Sequence, residues 1–153
     1  MKKKVFGRKL SRATSTRRAL YRSIIRALVL YGSISTTKAK AKAIQPEVEK
    51  IINLAKENSV AGKRRVYAIL GNDRKTASRI FEAITPLFME VKSGFTRIIN
   101  LPQRRGDNSK VVRFEWTKKI EVEDKKKKEE KKDVKEVKKP KKESLFQKIK
   151  SKK

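Results

Sequence analysis

The chain has 153 residues, 44 of them Lys or Arg against 16 Asp or Glu, for a net charge of +28. It contains no cysteine and no histidine, which excludes disulfides, thiolate metal sites and the commonest general base. No apolar run approaches the ~20 residues of a membrane span. Charge of this size repels itself in a compact state unless a polyanion neutralises it. The expectation is a soluble, intracellular protein that binds a polyanion, with no signal peptide, because no short apolar region and cleavage site follow the basic N-terminus.

In chain order, the first feature is a basic arm, residues 1–14. Its cations are Lys2, Lys3, Lys4, Arg8, Lys9 and Arg12, and it has too few apolar residues to fold alone. Ser11, Thr14, Ser15 and Thr16 add hydroxyls for phosphate oxygens. Such an arm either orders on RNA or stays a disordered basic tail; the density of donors favours the first. From Met1 to Pro46 there are thirteen Lys or Arg, and the first carboxylate is Glu47.

Ser15 is the expected N-cap of a first helix that runs to Tyr31 and stops at Gly32. Leu20, Ile24, Ala27, Leu28 and Tyr31 then share an apolar face, with Arg18, Arg22 and Arg26 in a row on the opposite one. Residues 33–37, SISTT, predict a short strand. Thr37 is placed to cap a second helix reaching Glu57, with Ala41, Ile44, Val48, Ile51, Ile52 and Ala55 inward. Pro46 falls within it; the stripe stays in phase across the proline, which favours a kink over a restart. A third helix is expected over 59–70, stopped at Gly71. A fourth is expected over 72–84, with Ala77, Ile80, Phe81 and Ile84 inward, followed by a turn with Pro86 at its first position.

Two strands close the domain. FTRIINL (95–101) is β-branched and bounded by Gly94 and Pro102, and VVRFEWT (111–117) alternates with Val112, Phe114 and Trp116 on one face. The loop between them carries Arg104, Arg105 and Lys110. The expected fold is α+β and two-layered, in the order α-β-α-α-α-β-β, with a small three-stranded sheet covered by helices. Residues 15–118 form that domain, with 28 basic and 8 acidic residues in the first 118. Residues 119–153, with sixteen Lys and eight acidic residues, read as a disordered charged tail. At its end Leu145, Phe146 and Ile149 have helical spacing, as a docking peptide or simply a frayed terminus.

No catalytic constellation, cofactor loop or metal-ligand cluster is present in the sequence, so neither an enzyme nor a cofactor is expected. Glu47 and Glu49 stand two apart on a helix, do not face each other, and read as solvated helix charges. The cations carry the information. The row Arg18, Arg22, Arg26 suits successive phosphates, and guanidinium binds phosphate bidentately and stacks on bases. Arg17 flanks it. Lys38, Lys40 and Lys42 sit at the start of the second helix, where they oppose the helix dipole, so something other than local helix stability must favour them. Arg97, Arg104 and Arg105 complete the candidate RNA-contacting set. Trp116 and Phe114, alternate on a strand, read as core rather than as stacking platforms.

These residues resemble a known family. GRKLSR (7–12), Arg17 and Arg22, ISTT followed by KAKA (34–43), VEKIINLAK (48–56), GFTRI (94–98) and RRGDN (104–108) together are similar to the bacterial large-subunit ribosomal protein L-seventeen family. The resemblance implies a cytoplasmic, structural constituent of the large ribosomal subunit. It implies binding to 23S ribosomal RNA near the exit of the peptide tunnel, beside other large-subunit proteins, with no small-molecule substrate and no membrane. A stretch without carboxylates then has a reason, because it would lie against packed phosphates. The competing reading from composition is a nucleoid-type protein that compacts DNA, which the Lys-rich tail fits and the Arg-faced folded domain fits less well.

Overall fold

A computed structural model describes residues 7–120. Lys2, Lys3, Lys4, residues 121–153 of the expected disordered tail and its apolar end lie outside the described residues. The elements follow the expected order: α1 (Thr14–Tyr31), β1 (Ser33–Thr37), α2 (Lys38–Lys56), α3 (Val60–Leu70), α4 (Arg74–Arg79), β2 (Thr96–Asn100) and β3 (Val111–Trp116). The sheet is antiparallel in the order β1-β3-β2. One face of it packs on the helices; the other is open.

The pleat decides which residues meet the helices. Val112, Phe114 and Trp116 are buried, while Arg113 is exposed, as the alternation along β3 required. Ile34 of β1 and Ile98 of β2 stand opposite Phe114 on the same face. Phe88 packs edge-on to Phe95, ring centroids 5.4 Å apart, and lies 5.9 Å from Trp116. Trp116 and Phe114 are therefore core. The indole Nε1 donates to the Leu28 carbonyl at 3.1 Å, the same oxygen that accepts from Gly32 N–H at 2.9 Å. The last strand is thereby fastened to the end of the first helix. Ile120, beyond the expected boundary at Lys118, also packs against the core.

α2 is continuous through Pro46, so the helix does not restart there. Its whole expected stripe, from Ala41 to Ala55, is buried. The missing N–H of Pro46 is tolerated because those inward residues hold both halves of the helix to one core. Thr37 occupies the N-cap position but makes no side-chain cap bond. It is also the last residue of β1, paired with Val111, and the ladder sets its conformation. α3 crosses close to α2 at Gly62: a Cβ there would stand 2.7 Å from the Leu54 carbonyl oxygen, so only glycine allows that approach. Ser59 caps α3 by accepting from Gly62 N–H at 2.9 Å.

Three local expectations are corrected. α1 begins at Thr14 with Ala13 as its N-cap, so Ser15 lies inside the helix and caps nothing. The fourth helix begins at Arg74 rather than at Asn72, with Asp73 as its N-cap; Asn72 takes a left-handed conformation with φ 63°. The fourth helix is α only to Arg79, continues as one π turn over Ile80–Ile84 and tightens to a 3-10 turn over Thr85–Phe88. The widened turn lets Thr85 N–H and Thr85 Oγ1 both bond to the Ile80 carbonyl, the latter at 2.8 Å. It brings Ile80, Ile84 and Phe88 onto one buried side, with Phe81 only half-buried.

The larger correction is the phase of α1. Its buried residues are Ile25, Leu28 and Val29, with Tyr21 and Ile24 packed at the margin. Leu20 and Ala27 are half-buried and Tyr31 is 68% exposed. The core face is turned by about 100° from the expected stripe, one residue's step around the helix. The row Arg18, Arg22, Arg26 therefore flanks the core rather than opposing it.

Candidate nucleic-acid interface

That rotation turns two of the three arginines toward the α3–α4 junction. Arg22 Nε donates to the Ile69 carbonyl at 3.0 Å, and its guanidinium lies over Gly71, where a Cβ would meet it at 3.0–3.2 Å. Gly71 has φ 71° and ends α3, so glycine serves twice, for its left-handed conformation and for the room it leaves. A cation on the last carbonyls of a helix is favourable with the helix dipole. Arg26 pairs with Asp73 at 2.5 Å. Asp73 in turn accepts from Thr76 Oγ1 at 2.6 Å and from Thr76 N–H at 3.3 Å. Arg22 and Arg26 thus clamp both sides of one turn.

The Thr76 hydroxyl, with Arg26 assisting, holds the Asp73 carboxyl below the usual carboxylate range. A carboxyl whose folded pKa is lowered stabilises the fold above its unfolded value and ceases to do so as pH falls through the folded one. The contribution of Asp73 is complete above the ordinary Asp value near ~3.9 and is lost on acidification below it. Asp73→Ala is expected to lower stability by about 1 to 2 kcal/mol at neutral pH, the cost of a lost N-cap. Urea denaturation at pH 7 and pH 3 checks this. The gap between variant and parent should narrow at the lower pH.

The other expected contact residues divide into engaged and open groups. Arg97 pairs with Glu115 across β2 and β3 at 2.6 Å. Arg104 pairs with Asp107 within its loop, and Asp107 also accepts from Ser109 N–H at 3.2 Å. These bonds, the one from Arg104 foremost, bring the Asp107 pKa down to about 2. Arg105 beside them is exposed and has no partner among the described residues. Arg8, Lys9, Arg12, Arg18 and Lys42 are exposed, and Lys38, Lys40 and Arg17 partly so.

The described part of the arm, from residue 7 on, is folded onto α1. Arg12 N–H bonds to the Lys9 carbonyl at 3.2 Å, Arg12 Nη1 to the Leu10 carbonyl at 2.8 Å, and Arg17 Nη1 to the Arg12 carbonyl at 3.1 Å. Tyr21 donates its hydroxyl to the Arg8 carbonyl at 3.4 Å. Leu10 and Ser11 both have positive φ, 53° and 52°, a conformation costing about 1 to 2 kcal/mol per residue for an L side chain.

Two concave regions result. Arg17, Arg18, Tyr21 and Arg22 of α1, Glu47 of α2 and Ala68 and Ile69 of α3 line a cleft of about 500 Å³. Arg8, Lys38, Lys42 and Lys110 surround the N-terminus of α2 in a second of about 360 Å³. A smaller hollow bounded by Arg8, Lys42 and Pro46 adjoins it. Lys38 N–H is satisfied by the Lys110 carbonyl at 3.0 Å, and the first turn of α2 contains no acidic residue. Lys110 and Glu47 were absent from the expected contact set. Lys110 was visible as a loop cation, but nothing local to residue 110 shows that it meets residue 38. The cations of α3 and α4, among them Arg64, Arg65, Arg74 and Lys75, are exposed as well; the runs KRR and RK were their signal.

Among the described residues no cluster of acidic side chains could hold a metal ion, and no helix is long and apolar enough to cross a membrane. The fold and surface define a small basic α+β protein whose cations are fixed on a folded domain along neighbouring clefts. Residues 20–117 match the family described as Ribosomal protein L17, and the chain belongs to that family of structural, non-enzymatic ribosomal components. It is 39% identical over 115 residues to the large ribosomal subunit protein bL17 of Nitratidesulfovibrio vulgaris Hildenborough, covering 74% of this chain and 86% of that one. It is 38% identical over 116 residues to bL17 of Thermomicrobium roseum, covering 76% and 98%. Against bL17 of Akkermansia muciniphila the identity is 45% over 107 residues, covering 70% and 78%.

Proposed function

We propose that the chain is a cytoplasmic structural component of the large ribosomal subunit that binds 23S ribosomal RNA. In this reading it lies near the exit of the peptide tunnel, beside other large-subunit proteins. Membership of the family supports the ribosomal role. The observation that carries RNA contact is the run of cations along adjoining clefts, Arg17 and Arg18 on α1, Arg8 from the arm, and Lys38, Lys42 and Lys110 around the start of α2.

Residues 1–14 extend that belt as an arm, with Lys2, Lys3, Lys4, Lys9 and Arg12 meeting phosphates, and residues 15–118 form the domain that places it. Lys40 and Arg105 add exposed contacts. Arg97 and Arg104 are each already paired with a carboxylate of their own, Glu115 and Asp107, so their part is smaller. Arg22 and Arg26 act chiefly by holding the α3–α4 turn. Phosphate contacts of this kind position a protein without reading sequence.

Fractionation of cells in high salt tests the assignment. The chain is expected in the 50S particle fraction, and recovery with the nucleoid instead would sink it.

A further inference from the structure

The 500 Å³ cleft is more than a seat for phosphate. Its size falls within the range of small-molecule pockets, and Ile25, Ala68, Ile69 and the ring of Tyr21 give it apolar surface. Glu47 also lines it. This is the first carboxylate after 46 residues without one, and among the described residues it forms no ion pair, although three guanidiniums line the same cleft. A carboxylate facing phosphates is repelled unless donors reach it, because an ionised carboxylate only accepts hydrogen bonds.

The edges of the bases separate sharply on this criterion. Guanine presents two neighbouring donors, N1–H and the 2-amino group, matched to the two oxygens of one carboxylate. Adenine and cytosine place a ring-nitrogen lone pair beside their amino group. Uracil flanks N3–H with two carbonyl oxygens. Against each of these the second carboxylate oxygen would meet a lone pair. We propose that this cleft takes one unstacked guanine of the bound RNA. Glu47 accepts from N1–H and the 2-amino group, Tyr21 offers its ring for stacking, and Arg17 and Arg18 hold the flanking phosphates.

Splayed bases stacked on aromatic rings and bonded along their Watson–Crick edges are the usual means of reading single-stranded RNA. The proposal rests on the RNA-binding reading and adds to it a position where sequence matters.

Mononucleotides test it, since they carry the same phosphate and differ only in the base. Titration of the full chain by NMR with GMP, IMP and AMP is expected to move the resonances of Tyr21, Glu47 and Ile69. Affinity should fall in that order, IMP lacking the 2-amino group and AMP both donors. GMP should exceed AMP about tenfold, the scale of one bidentate base contact. Glu47→Gln should level GMP with AMP while strengthening, or leaving unchanged, binding of a guanine-free single-stranded RNA, because a negative charge has gone. Glu49→Gln on the same helix should keep the preference. Circular dichroism verifies the fold of both variants.

Equal binding of GMP and AMP by the parent chain, or a preference that survives Glu47→Gln, would overturn the guanine site. If long RNA still bound with a steep salt dependence, the RNA-binding reading would stand without it. If neither long RNA nor nucleotides bound, both would fall.

Discussion

Raising the salt concentration from about 50 to 200 mM should weaken binding of the full chain to 23S ribosomal RNA by about 10³-fold or more, the loss associated with six to ten phosphate contacts. The six cations along the adjoining clefts, Arg8 among them, set the lower end of that range before the rest of the arm is counted. Each contact releases a fraction of a counterion, so the log–log slope should steepen by about 0.7 to 0.9 per neutralised phosphate. A filter-binding titration at several salt concentrations measures it. Arg18, exposed and outside every ion pair among the described residues, separates RNA contact from folding. Arg18→Gln should flatten the slope by about one contact at unchanged melting temperature. Arg22→Gln should lower the melting temperature, because it leaves the end of α3 without its guanidinium. The reverse pattern would mean that the belt has been assigned to the wrong residues.

Trp116→Ala should cost about 3 to 5 kcal/mol of folding stability. Against the ~5–15 kcal/mol of a typical domain, that leaves the variant marginal at 37 °C. The ring is 5% exposed and packs on Phe88, so truncation opens a cavity between the sheet and α1. It also strands the second bond at the Leu28 carbonyl. Trp116→Phe keeps most of the packing and removes the donor, while the Leu28 carbonyl keeps its bond from Gly32 N–H, so it should cost less, about 0.5 to 1.5 kcal/mol for the hydrogen bond lost. Denaturant curves for the pair separate volume from hydrogen bond. A loss near zero for Trp116→Phe would show that the indole N–H contributes nothing, and a loss equal to that of Trp116→Ala that the ring volume does not.

What could be read in advance depended on how many faces each segment could bury. α2 has one apolar stripe and charged flanks, so a 3.6-residue period admits a single solution, and all six inward residues are buried. β3 alternates over only two faces, and Trp116 followed from that. α1 is different. From Ile24 to Tyr31 it holds one charged residue, Arg26, and otherwise apolar ones. Several faces would satisfy the period equally well. Packing against α2, α4 and β1 selects among them, and that selection is tertiary. The π turn over Ile80–Ile84 has no sequence signal beyond a run of buried side chains. The same limit applied to the interface. The cations were legible as a set, but their neighbours were not. Glu47 reads as a solvated helix charge until α1 and α3 are laid beside it, and Lys110 reads as a loop residue until the β1–β3 ladder brings it to the start of α2.

The order β1-β3-β2 has a consequence for how the molecule is made. β1 and β2 share no ladder; each pairs only with β3, the last element of the described domain. A chain synthesised from its N-terminus at about 5 to 20 residues per second therefore leaves β1 unpaired for about 4 to 16 seconds, and β2 for about 0.5 to 3 seconds, before the strand that joins them exists. Until Trp116 emerges, nothing fastens the end of α1 from the sheet side, for the bond at Leu28 spans 88 residues. The cationic N-terminal half, by contrast, is complete early. It meets solvent, and any RNA nearby, while the hydrophobic half is still waiting for its central strand. Closure of the sheet is then a late, non-local step of the kind that slows folding. A polyanion that engages the arm and α1 beforehand would quiet the self-repulsion of the nascent chain during the interval in which its strand edges are most open to wrong partners.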